Sequence, residues 1–96
     1  MKMLMILYTG DSPRLVPDIL IACGDYPFTE FLDGIGKGHR HRHEGTRVFP
    51  GRTTMTVSVL PEEKAEAASK KLVETARALP DPDRLHVAII PVEDFQ

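Results

Sequence analysis

Thr54-Met55-Thr56-Val57-Ser58-Val59-Leu60-Pro61-Glu62-Glu63 changes its periodicity partway along, and that change sets the architecture. Through Val59 the residues alternate: Thr54, Thr56 and Ser58 carry hydroxyls, while Met55, Val57 and Val59 are apolar. Successive side chains of an extended strand point to opposite faces, so this segment predicts a strand with one hydroxyl face and one apolar face. From Pro61 the spacing becomes helical. Ala65, Ala68, Leu72, Ala76 and Leu79 recur at three- and four-residue steps as far as Leu79-Pro80. Acids stand early in this helix and Lys70, Lys71 and Arg77 late, the order that the helix dipole favours. Asp81-Pro82-Asp83 then turns the chain into a last strand, His86-Val87-Ala88-Ile89-Ile90.

The chain before residue 54 follows a similar plan. Met3-Leu4-Met5-Ile6-Leu7-Tyr8 is an unbroken apolar run closed by Thr9-Gly10-Asp11, which predicts a central strand covered on both faces. A helix follows at once: Ser12 or Asp11 is placed to cap it, Pro13 suits its first turn, and Leu15, Val16, Ile19, Leu20 and Cys23 form an apolar stripe that Gly24 ends. Pro17 removes a backbone donor, which predicts a late start or a bend there. Phe28 to Leu32 reads as a second strand leading into a long glycine-rich loop.

Strand, helix, strand, long loop, strand, helix, strand is the order of an α+β ferredoxin-like sandwich, βαββαβ, in which a four-stranded antiparallel sheet carries both helices on one face. The other face has no helix to cover it. With the 54–59 strand in a central place, that uncovered face is expected to show its threonines, with apolar residues added by the neighbouring strands. Packing such a face against copies of itself would enlarge a small core, so a closed homo-oligomer is expected.

Composition narrows the function. Ninety-six residues make one small domain, 1–96, with residues 36–51 as a long exposed loop. The formal charge of -2 is unevenly spread: Lys37, Arg40, Arg42 and Arg47 against Glu44 make the loop basic and the rest of the chain acidic. A basic loop on an acidic body suits an anionic ligand or a protein partner better than general nucleic-acid binding. The single cysteine, Cys23, excludes an internal disulfide and a Cys-x-x-Cys metal site, and with no export signal in the short apolar start it points to the cytoplasm. No stretch is long and apolar enough to embed the chain in a membrane.

The loop itself reads Gly34-Ile35-Gly36-Lys37-Gly38-His39-Arg40-His41-Arg42-His43-Glu44-Gly45 and offers two chemistries. In an extended backbone His39, His41 and His43 project to one side and Arg40 and Arg42 to the other. Imidazoles at i and i+2 suit a transition metal such as zinc, copper(II) or nickel. Alternatively, Gly36, Lys37, Gly38, Arg40, Arg42 and Arg47 supply amides and cations for an anion. The interleaved arginines favour the second reading, because a metal cation beside guanidinium groups is repelled.

Gly34 to His39, then Gly45-Thr46-Arg47-Val48-Phe49-Pro50-Gly51, the alternating strand, Pro61-Glu62-Glu63-Lys64, and Ile90-Pro91-Val92-Glu93-Asp94-Phe95 together resemble the PII-like signalling proteins. In that family a glycine-rich turn after strand two launches the "T-loop", and strand four ends on Pro-Val-Glu. The resemblance implies a homotrimer whose loops contact a regulated partner, such as a membrane transporter, with a small ligand in clefts between subunits. In nitrogen-regulatory members that ligand is an adenine nucleotide; relatives linked to heavy-metal efflux carry a histidine-rich loop. This chain departs from the nucleotide-binding pattern at Leu79-Pro80-Asp81-Pro82-Asp83-Arg84, which has no glycine, and it ends at Gln96. Gly36, Lys37, Gly38 and Arg84 are then the candidates left for an anion.

Three competing classes fit less well. Acylphosphatases, small phosphate-ester or acyl-phosphate hydrolases of the same fold, need a water-orienting asparagine, and this chain has none, so no enzyme activity is expected. Ferredoxin-like metal chaperones need two cysteines. RNA-binding domains of this fold need aromatics on the open sheet face, where threonine is expected here. His86 and Cys23 are assigned structural roles, and Arg14 is expected to be solvated.

Overall fold

The computed structural model describes residues 1–34, 52–80 and 83–96. Its elements are β1 (Lys2–Gly10), α1 (Leu15–Gly24), β2 (Thr29–Gly34), β3 (Arg52–Leu60), α2 (Glu62–Ala78) and β4 (Arg84–Pro91). The strands form one sheet in the order β2-β3-β1-β4, with each neighbouring pair antiparallel. Each helix therefore connects two parallel strands separated by one strand of the other half, and the two halves interleave. This is the βαββαβ ferredoxin-like sandwich expected from the element order.

Alternation along β1 decides where the core lies. Leu4, Ile6 and Tyr8 are buried, whereas Leu7 is exposed and Met3 and Met5 are half-buried. The helices thus cover the even-numbered side of β1 and leave the odd-numbered side open. Val16 and Leu20 from α1 and Ala65, Ala68 and Leu72 from α2 complete the core. Alanine at 65 and 68 lets α2 lie close to the sheet, and each fully buried leucine or isoleucine contributes about 1.5–3 kcal/mol relative to exposure. Among the described residues the helices cover β1 on one face only, so the expectation of two covered faces is not met by them.

The hydroxyl face of β3 lies opposite to the expected one. Thr56 pairs across the ladder with Ile6 and Ser58 with Leu4, and both are buried beneath the helices at 0% and 2% exposure. Met55, Val57 and Val59 occupy the open face instead. Ser58 is accommodated because its Oγ donates to the carbonyl of Pro27 at 2.6 Å. Thr56 Oγ1 has no hydrogen-bond partner among the described residues. The open face is consequently more apolar than the sequence suggests, and the case against an RNA-binding sheet changes its ground: the inner strands present mainly aliphatic and thioether side chains there, with Thr9 and Thr53 at one end, and no aromatics.

Helix α1 begins late, as Pro17 requires. Pro17 is its third residue, where the backbone N–H would have no partner within the helix. The cap differs from expectation: Arg14 occupies the N-cap position without a side-chain cap bond, and neither Ser12 nor Asp11 caps. The carbonyl of Ser12 instead accepts from Leu15 N–H at 3.0 Å. At the far end the left-handed residue is Asp25, φ 53°, one place beyond Gly24. Gly24 serves Tyr26, whose ring lies where a Cβ would be, 2.6 Å from the nearest ring carbon. Cys23 is half-buried, and Arg14 is exposed and paired with Asp18 at 2.8 Å.

Candidate functional site

All four strands bring one end to the place where the 35–51 segment leaves and re-enters the sheet. Gly34 pairs with Thr53, Thr53 with Thr9, and Thr9 with Arg84, so one row of residues crosses the whole sheet at the base of that segment. Thr9 and Thr53 share a hydroxyl–hydroxyl hydrogen bond of 2.9 Å. Arg84 is half-buried beside them. Two hydroxyls and a guanidinium in one row suit an anionic oxygen, since the hydroxyls donate as readily as they accept and the guanidinium only donates.

The base is held by two local devices. Between Phe31 and Gly34 the β2 register shifts against β3, and Gly34 sits so close that a Cβ would stand 3.3 Å from the Thr53 carbonyl oxygen. Glycine permits that approach where another residue would push the strand away. On the opposite face, Tyr8 Oη donates to Asp83 Oδ2 at 3.2 Å and accepts from Ser12 N–H at 3.1 Å. One buried phenol therefore joins the end of β1, the entry to α1 and the entry to β4. Gly10 makes room for it: a Cβ there would overlap the Tyr8 hydroxyl and stand 2.7 Å from Asp83 Cγ.

The open sheet face runs down from this base in further rows. Phe31, Met55, Leu7 and His86 form the second, Thr29, Val57, Met5 and Ala88 the third, and Val59, Met3 and Ile90 the fourth. His86, expected to be structural, is exposed on this face. The sequence hid its position because one histidine at a strand start has no periodic partner to assign it a side.

Gly36, Lys37, Gly38, Arg40, Arg42 and Arg47, proposed for an anion, and His39, His41 and His43, proposed for a metal, lie outside the described residues. Among the described residues no group of three or more His, Cys, Asp or Glu side chains is placed to hold a metal ion. Sequence reasoning named Arg84 as a candidate for an anion and did not name Thr9 or Thr53. The only signal for that pair was the rule that antiparallel neighbours across a ladder meet, which needs the strand order first.

No family model matches the chain. No curated protein matches it either. Solved structures do. CPII from Thiomonas intermedia K12, a nitrogen regulatory PII-like protein, was solved bound to ADP, AMP and bicarbonate; that structure superposes with a TM-score of 0.66 at 21% identity, over 99% of this chain and 94% of that one. The chain has the PII-like fold. A second CPII structure, bound to ADP and bicarbonate, gives a TM-score of 0.63 at 21% identity over 93% of this chain and 86% of that one. The apo form gives 0.63 at 18% identity over 95% and 89%. Among the described residues no helix is long and apolar enough to cross a membrane.

Proposed function

We propose that this protein is a PII-like regulator: it binds an adenine nucleotide, with a small anion such as bicarbonate as a second ligand, at the base of the 35–51 segment and passes that state to a partner protein. The observation that carries the reading is the row Gly34, Thr53, Thr9 and Arg84 beneath that segment, in a fold matched almost end to end by a protein solved with ADP, AMP and bicarbonate. Arg84 and the two hydroxyls supply the phosphate or carbonate contacts, and Lys37, Arg40, Arg42 and Arg47 add positive charge from the segment itself. Ligand contacts favour one arrangement of that segment, and a partner such as a transporter selects it. The role is regulatory and involves no catalytic step.

Self-association belongs to the same reading, with a trimer as the expected form. Met3, Met5, Leu7, Met55, Val57 and Val59 give an apolar face to one side of the sheet that the helices leave open. Four strands about 4.8 Å apart and seven residues at about 3.4 Å each make that face roughly 450 Å². That area, polar base row included, falls within the range of the largest patch on a typical monomer, which often marks an interaction site. The unbroken apolar run of β1 makes physical sense once a second copy covers its odd-numbered side.

Calorimetric titration of the tag-free protein with ADP, AMP, ATP, bicarbonate, zinc and copper(II) tests the ligand. The expected result is nucleotide binding that weakens by about tenfold or more in Arg84→Ala, as loss of a charge-assisted contact implies, and that survives replacement of His39, His41 and His43 by alanine. Tight metal binding lost in the triple variant, with no nucleotide heat, overturns the reading.

A further inference from the structure

His86 stands at an unusual place for an ionisable group. It lies on the open sheet face in the row of Phe31, Met55 and Leu7, exposed in the single chain. The described open-face side chains of β1, β2 and β3 are all uncharged, so among the described residues no acid from those strands faces the imidazole. Among the described residues of β4, Arg84 shares the face, two residues earlier on the same strand and therefore on the same side. Covering this face removes His86 from water and places it among thioether, aliphatic and aromatic groups. Burial among apolar groups disfavours the charged form of an imidazole.

We propose that His86 makes self-association of this chain pH-dependent: a second copy covers the open face when the imidazole is neutral and is expelled when it is protonated. This rests on the reading above that the open face packs against copies of the chain. The sign follows from linkage. A covered face favours the neutral imidazole, so assembly is complete on the alkaline side of the imidazole range and is lost on the acid side. Each imidazole that must lose a proton lowers the association constant by up to about tenfold per pH unit.

Sedimentation velocity of the full chain at one fixed concentration, stepped from about pH 8 to about pH 5.5 across the imidazole range, tests this, with circular dichroism at each step to show that the fold persists. The wild type is expected to be assembled at the alkaline end and to dissociate on acidification. His86→Gln should stay assembled to lower pH, and His86→Lys should be dissociated even at the alkaline end. A variant with His39, His41 and His43 all changed to alanine should follow the wild type, which separates His86 from the other imidazoles. A wild type that is monomeric at the alkaline end overturns both self-association and this inference. Assembly that is insensitive to pH, or a pH profile shared by wild type and His86→Gln, overturns the inference alone.

Discussion

Replacing Thr56 by valine should make this protein more stable. Thr56 is fully buried between Ile6 on β1 and Glu30 on β2, and its Oγ1 has no hydrogen-bond partner among the described residues. A buried hydroxyl without a partner costs about 1–3 kcal/mol relative to one left in water. Valine keeps the branched Cβ, and hence the strand preference and the stiff χ1, while exchanging the hydroxyl for a methyl group. Burying that methyl adds about 0.8 kcal/mol, from which the strain of a slightly larger group must be subtracted. The expected gain is about 1–2 kcal/mol, or a rise in Tm on the order of 5–10 °C for a domain of this size. Thermal and urea denaturation, followed by circular dichroism at a fixed protomer concentration, measure it. Thr56→Ser is the control: it keeps the hydroxyl, loses the methyl, and should fall below the wild type by about 1 kcal/mol. A Thr56→Val protein no more stable than the wild type would refute the reasoning, because it would show that the hydroxyl is satisfied in solution.

Ser58 should respond in the opposite direction: Ser58→Ala removes the donor at 2.6 Å from the Pro27 carbonyl and is expected to cost about 1 kcal/mol in the same urea titration. Gly10→Ala should open the junction at the base of the sheet, since the new Cβ overlaps the Tyr8 hydroxyl and stands 2.7 Å from Asp83 Cγ; a loss of about 1–3 kcal/mol, reduced but not abolished in a Tyr8→Phe background, is the expected double-mutant result.

These predictions turn on details that no reading of the chain alone supplied, although much of the architecture was legible. Six elements in the right order followed from the 3.6-residue repeat of α2, the alternation of β3, the apolar run of β1 and the position of Pro17. Those signals are local: each depends on residues near one another in sequence, and each carries its own period. The base of the loop was legible only in part. Arg84 was a candidate beside an acidic turn, but Thr9 and Thr53 lie 44 positions apart and meet only through the β1–β3 register.

The sequence by itself determined that β3 has two unlike faces and that one face of the sheet would lack a helix. It did not determine which face of β3 turns inward, because a period of two is the same whichever side is buried. The tertiary structure decided this by pairing Ile6 with Thr56 and Leu4 with Ser58, so that the hydroxyls followed the buried side of β1 beneath the helices. Ser58 found the Pro27 carbonyl there, contributed by a segment 31 residues away. The apolar alternates, Met55, Val57 and Val59, were thereby left on the open face with His86. The physical reason is that burial is a relation between segments distant in the chain, whereas periodicity is a property of one segment alone.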